Sequence, residues 1–458
     1  MIEDCKITRR DFLGSTLLGA GAALLDGVTP AQILAASAED DWTGYAGIGD
    51  YRRSNGNTLE VLQAGHKMRD GAYHSLLADP IDTGEVYDCV VVGGGISGLA
   101  SALFFQRLAG TGKTCLVLEN HPIFGGEAKQ NEFEVDGKRL IAHQGSAIYL
   151  VPYPHSFIAR FYDSIGLHTP KLSYQKWSGT PPAMATSRHP YESAGLSRGQ
   201  YAFWFGTKFG QKPGMWIVDP VGKKLEGAPI SESARKELLR WFSGPASAES
   251  KFEPPKYEGD EISRQLDAIT LEQHIMQRSG LSQETIRTFL SPVEGGGSGL
   301  GPDALSAYCD YAADLLHPLD DGSGEGVQMF PGGNTTIARL MAKTLIPSCI
   351  EGPTSAEGVS RNTVKLAALD SPDAAARMRL SATVLSVQHD GDPAKAESLT
   401  IVYAKDGKVF RVKARSAVVA GGSWTAKHII AELPAAQRQA YAQFYRSPCM
   451  MANVAVRN

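Results

Sequence analysis

The stretch VVVGGGISGLA, Val90 to Ala100, constrains the fold most, because three β-branched residues run straight into a glycine cluster that opens a helical pattern. Cys89-Val90-Val91-Val92 is apolar on both faces, which predicts a strand over Tyr87–Val92, buried in a parallel sheet covered by helices on both sides. Gly93, Gly95 and Gly98 then form G-x-G-x-x-G. The first glycine allows the tight turn, the second lets the backbone approach a pyrophosphate, and the third lets the next helix pack close. That helix is predicted over Ser97–Leu108, its N-terminal N–H groups aimed at the anion. Thr111-Gly112-Lys113 breaks it, and Cys115–Leu118 is a second apolar strand ending on Glu119, placed to accept both hydroxyls of an adenosine ribose. A lone G-x-G-x-x-G is a weak signal. Strand, glycines, helix, strand and acid in this order point to a Rossmann-like α/β domain and a dinucleotide ligand.

The start of the chain bears on compartment. Thr8-Arg9-Arg10-Asp11-Phe12-Leu13, an apolar stretch over Leu17–Leu25 and the small residues Ala36-Ser37-Ala38 have the three regions of an export signal, with the twin arginine of the Tat route. Asp26 interrupts the apolar run, which leaves it too short and too polar to span a membrane. The expected location is therefore the periplasm. Tat carries folded proteins, which suits an enzyme loaded with its cofactor before export.

With 458 residues, 43% of them hydrophobic, the chain can bury more than one core. A net charge of −4 leaves no basic stripe to propose nucleic acid as a partner. Cys5 lies in the leader, and Cys89, Cys115, Cys309, Cys349 and Cys449 are scattered without C-x-x-C, so neither a disulfide framework nor a zinc or iron–sulfur site is expected.

Past Tyr153 the pattern changes. Ser178–Gln200 and Ser243–Glu261 read as long loops, and Thr270–Leu290 and Pro302–Leu316 as helices. The aromatic run Tyr201–Gly206 is either a strand lining a substrate cage or the core of an insertion, the second being the commoner use of aromatics. Met378–Val387 is expected as one strand, Leu399–Tyr403 and Val409–Val412 as a hairpin across Asp406-Gly407, and Ser416–Ala420 as a further strand ending on Gly421-Gly422.

The paired glycines Gly125-Gly126, six and seven residues past Glu119, resemble the second fingerprint of the amine oxidase and phytoene desaturase flavoproteins. In those families this loop lies against the FAD pyrophosphate and an arginine usually follows. Glu127 stands there in this chain, and Lys129 is the candidate for the missing positive charge. From Tyr45 onward the chain resembles the bacterial spermidine dehydrogenase-like FAD oxidoreductases, through YDCVVVGGGISGLA, ENHPIFGGEAKQNEF, FPGGNTTIARLMAKTLIP and PCMMANVAVRN. The resemblance implies a two-dinucleotide-binding type of FAD domain with an inserted α+β substrate domain, and oxidation of a small-molecule amine by hydride transfer to flavin N5. It further implies that Val384 contacts the adenine side by its backbone, that Gly421 and Gly422 meet FAD, and that electrons pass to a periplasmic acceptor. A family member carries haem b, and His66 matches a histidine of that segment, which makes it a candidate ligand. An alcohol, sugar or desaturation substrate stays open, as does a catalytically incomplete nucleotide-binding fragment.

For the substrate, a polyamine site needs carboxylates beside aromatics, and Tyr149, Trp204, Glu294 and Asp310 are candidates by position, each with an ordinary structural role as the alternative. Gly-Asp occurs only at Gly49-Asp50, Gly259-Asp260 and Gly391-Asp392, none where the family's C-terminal pair reaches the ribityl group, so a C-terminal truncation is expected. The expected organisation is a Tat signal over 1–38, an N-terminal arm over 39–84, a first FAD-binding part over 85–150, an inserted substrate domain over 151–326, a return segment over 327–425, and the start of a second substrate segment over 426–458.

Overall fold

The computed structural model describes residues 56–110, 112–135, 138–150, 152, 155–169, 202–220, 222–242, 260–309, 327–330, 332–444, 451 and 453. The Tat signal, the loop Ser178–Gln200, most of Ser243–Glu261 and the candidate Asp310 lie outside them. The described residues up to 169 and those from 327 onward belong to one compact unit, and those from 202 to 309 to another.

In the first unit, β1 (Ile81–Val92) and β2 (Cys115–Leu118) form where the apolar runs predict strands. They are followed by β3 (Gln130–Val135), β4 (Lys138–His143) and β5 (Ile148–Leu150). The second unit holds β6 (Ala202–Phe205) and β7 (Met215–Val218). The chain then returns to the first unit with β8 (Val327–Met329), β9 (Ala376–Arg379), β10 (Thr383–His389), β11 (Leu399–Lys405) and β12 (Lys408–Val419).

Six strands make one sheet in the order β10-β11-β12-β1-β2-β9. From β12 to β9 all pairs are parallel, and Val419, Val92, Leu118 and Arg379 line up in register at one edge. One face, through Cys89, Val91, Cys115 and Val117, packs on the helices Ile96–Ala109 and Thr335–Leu345. The other, through Tyr87, Val90, Leu116 and Leu118, packs on Val384, Ile401, Tyr403 and Val412. Helices were expected on both faces. The antiparallel meander β10-β11-β12 covers the second face instead, which buries it equally well without a crossover helix.

Met378–Val387 is two strands rather than one. Ser381, at φ 52°, turns the chain between β9 and β10, and its N–H and that of Ala382 bond to the carbonyls of His121 and Glu119. Conversely, Val409–Val412 and Ser416–Ala420 merge into the single strand β12, which leaves the Asp406-Gly407 turn in the meander and ends in the parallel sheet. The helix Phe157–Ser164 belongs to the first unit, where Phe161 and Tyr162 pack against the core that holds Cys89, Val91 and Leu340. Ile429 also lies in that unit's core and Ile430 bridges to Val387, so 423–430 continues the nucleotide unit.

In the second unit the β6–β7 hairpin turns Phe205 and Ile217 into a core with Leu225, Leu238 and Phe289. Thr270–Leu290 divides into a helix over Leu271–Ser279, stopped by left-handed Gly280, and a second run from Gln283 into a π-turn over Ile286–Leu290. Of the helix expected over Pro302–Leu316, residues 302–307 form turns and a bridge, helical backbone begins at Tyr308, and 310–316 lie outside the described residues.

Candidate functional site

The first glycine turn lies where the sequence places it, at the carboxyl edge of the parallel strands. Gly93 adopts φ 107°, and a Cβ there would lie 3.6 Å from the Ala420 carbonyl carbon and the Gly421 nitrogen. Gly421 is thereby brought beside it, and Gly422 opens the helix Ser423–Ile429. Gly98 sits against the turn itself, its absent Cβ only 1.8 Å from the Gly93 carbonyl oxygen. The helix Ile96–Ala109 starts at Gly95 with no side chain capping it, so its first N–H groups and the positive end of its dipole face the turn.

The second glycine turn meets the first directly. The Gly125 N–H donates to the Gly94 carbonyl at 2.8 Å, Gly95 and Gly125 pair as a β-bridge, and a Cβ on Gly126 would lie 3.0 Å from the Gly95 Cα. Both glycines have positive φ, 121° and 60°. Two backbone loops thus approach more closely than side chains would permit, which makes a cradle of amides for an extended anion.

Glu119 flanks this cradle at 5% exposure. Its Oε2 accepts the Gly94 N–H at 2.5 Å, and its Oε1 accepts the His121 N–H at 2.8 Å and lies 2.7 Å from the His121 Nδ1. Burial alone would raise its pKa, but the His121 contacts and the Gly94 bond outweigh it and hold the carboxyl ionised below the ordinary range. Three of its roughly four acceptor positions are used, so it offers a ribose one position rather than the expected two. Beside it, the Thr383 hydroxyl donates to Asn120 Oδ1 at 2.6 Å, which brings buried Val384 to the Glu119 edge.

Lys129 is 3% exposed, and its ammonium donates to Asn57 Oδ1 at 2.8 Å. Sequence reasoning passed over Asn57. Nothing local marks it, because the N-terminal arm reaches this loop only through the fold, with Gly56 against Ile123. Burial pushes Lys129 down to about 8, opposed by the Glu119 carboxylate. Between pH 8 and its unfolded value the unfolded chain binds a proton that the folded one does not, so stability rises with pH across that window. Lys129→Met is expected to abolish that rise and to stabilise the ligand-free protein at pH 7 by about 3 kcal/mol. Urea melts at pH 7 and 10 check it, and equal slopes in both proteins would refute the assignment.

Tyr149 lies in β5, paired with β8 opposite Gln328. Trp204 and Glu294 are in the second unit. Trp204 is half-exposed and packs tilted against Trp216 across the hairpin, centroids 5.1 Å apart and planes at 52°, so the core role in that aromatic run falls to Phe203 and Phe205. Glu294 is buried in the helix Ser291–Ser298, which runs on through Gly295, Gly296 and Gly297 to a left-handed cap at Gly299. His66 is half-buried on the helix Leu59–Arg69, which buries none of its residues.

Residues 91–165 match the family described as the NAD(P)-binding Rossmann-like domain. The first unit has that fold. Oxidoreductase PigB of Serratia sp. is 36% identical over 93 residues, covering 20% of this chain and 12% of PigB. Of solved structures, putrescine oxidase is similar with 18% identity and a TM-score of 0.42, over 78% of this chain and 63% of that one. A CLA-producing fatty acid isomerase from P. acnes is similar with 11% identity and a TM-score of 0.39, over 78% and 64%. The chain spans less than two thirds of each of these proteins.

Proposed function

We propose that this chain is an FAD-dependent amine dehydrogenase, exported by the Tat route, that oxidises a polyamine such as spermidine and passes electrons to a periplasmic acceptor. The observation that carries the reading is the meeting of the two glycine turns, Gly93–Gly98 and Gly125–Gly126, with the buried Lys129 ammonium beside them. A single Rossmann turn serves any dinucleotide. The second turn, bonded to the first, adds amides and a cation for the diphosphate, which is the arrangement the flavoprotein resemblance implies.

These residues fit FAD. Glu119 holds the adenosine ribose, the start of the Ile96–Ala109 helix and the two glycine turns hold the diphosphate, and Lys129 neutralises part of its charge. FAD, when bound, supplies an acceptor for the hydride leaving the carbon beside a neutral amine. The amine and the compartment rest on the sequence resemblance and on the Thr8–Leu13 signal. Among the described residues, the helix that carries His66 buries none of its own residues and offers no apolar slot for the macrocycle of haem b.

The test is the visible spectrum of the full chain after Tat-competent expression, before and after anaerobic spermidine. Flavin bands that bleach are expected. Bands that bleach only with an alcohol or sugar would move the substrate class, and a colourless protein that takes up no added FAD would sink the reading.

A further inference from the structure

Beyond the diphosphate cradle the loops continue in an unbroken row. The Gln144 N–H donates to the Lys129 carbonyl and the Ser146 N–H to the Glu127 carbonyl, both at 3.0 Å, so residues 144–146 lie along the second glycine turn. Asn334 in turn bonds to Ser146, its N–H to the carbonyl at 3.0 Å and its amide to the hydroxyl at 2.7 Å. The turn Gly332-Gly333 ahead of it has positive φ at both residues. Counted from Glu119, the order is ribose acid, paired glycine turns, then 144–146 and 332–334.

Two side chains in this row, buried Gln130 and partly buried Gln144, hold buried acceptor atoms without a donor. Gln130 is 3% exposed, and its amide nitrogen donates to Glu132 Oε1, which fixes the orientation of the group and leaves Oε1 unpartnered. That oxygen faces Gly332, 3.0 Å from where a Cβ would stand. Gln144 Oε1 is likewise buried and unpartnered. A buried acceptor without a donor loses its hydration and gains nothing in return, so such atoms call for a donor-bearing occupant.

From this we infer that Gln130 and Gln144 are the seat of a polyol, the ribityl chain of FAD, whose hydroxyls donate to their two amide oxygens. The inference rests on the FAD reading and extends it past the diphosphate. The cradle has one end at Glu119, which takes the adenosine ribose, and a ligand that continues from its other end runs along 144–146. Three successive hydroxyls suit acceptors spread along a row of loops, and a carbonyl oxygen needs only a donor, which each hydroxyl supplies while still accepting elsewhere. The same atoms give selectivity, since ADP ends before reaching them.

The test is titration of the purified full chain with FAD and with ADP, read by calorimetry and by quenching of flavin fluorescence, in wild type, Gln144→Leu and Gln130→Leu. Gln144→Leu is the cleaner variant because its bond to Lys129 is made by the backbone and survives. FAD affinity is expected to fall about tenfold in each variant with ADP affinity unchanged. The ligand-free Gln144→Leu protein should melt at the same temperature or higher, because an unsatisfied polar atom has been removed; a glutamine with a merely structural role would give a lower one. Equal loss of ADP and FAD, or no loss of either, would overturn the inference while leaving the FAD reading intact. A wild-type chain that binds ADP but not FAD would overturn both, and leave only a nucleotide site.

Discussion

Gly98→Ala is expected to cost about 3 kcal/mol of folding stability or more and to abolish dinucleotide binding. The new methyl would stand 1.8 Å from the Gly93 carbonyl oxygen and 2.9 Å from its carbonyl carbon. Both are backbone atoms at the end of a central strand, so no side-chain rotation relieves the overlap. Either the helix withdraws from β1 or the turn changes shape. Gly95→Ala separates this from a binding effect. Its Cβ would meet only Gly126, the Cα at 3.6 Å and the nitrogen at 3.9 Å, both ordinary contacts, and the backbone there has negative φ. That variant should keep its stability and lose ADP affinity, because the methyl takes the space a diphosphate needs. Urea denaturation and ADP titration of both variants decide the matter. A Gly98→Ala protein with wild-type stability, or a Gly95→Ala protein with wild-type affinity, would refute the role given to the turn.

What the sequence shows of this fold is what local pattern can carry. The apolar runs at Cys89–Val92 and Cys115–Leu118, the glycine spacing and the Asp406-Gly407 turn each act within a few residues, and each produces its expected element. What it conceals is set by partners far along the chain. An apolar strand face reads the same under a helix as under a meander, so the β10-β11-β12 cover was not legible. Ser381 has no turn signature, yet Glu119 and His121 hold it in place through their carbonyls. At the site, Glu119 and the two glycine turns follow from spacing. Asn57 and Gln130 do not, because their importance arises only when the arm and the β3–β4 hairpin meet loops remote in sequence.

A cluster of charges that pattern also conceals gives the second large effect. Arg379 Nε donates to Asp370 at 2.7 Å, its terminal nitrogens reach Glu85 at 2.8 and 2.9 Å and the Tyr403 hydroxyl at 2.7 Å, and its guanidinium lies 5.6 Å from the Tyr403 ring centre. Arg377 bonds the same two carboxylates at 2.7 and 2.9 Å. β1, β9 and the meander are thereby fastened together. Removing one member strands charges taken out of water, and Arg379→Leu is expected to cost about 3–5 kcal/mol, with Arg377 left to answer two carboxylates. Burial raises the Glu85 pKa, but the bonds to Arg379 and Arg377 outweigh it and leave it lowered. A lowered carboxylate stabilises above its unfolded pKa, and that part of the stability is lost as pH falls below about 4 through the folded value. The Arg379→Leu penalty should therefore shrink in urea melts between pH 7 and 3. Nucleotide affinity should fall with it, because the Arg379 carbonyl accepts the Glu119 N–H at 3.0 Å and so sets the height of the ribose acid at the sheet edge. A loss under 1 kcal/mol, or a penalty that grows on acidification, would show that the cluster is a solvated surface network and that Glu119 is held by other means.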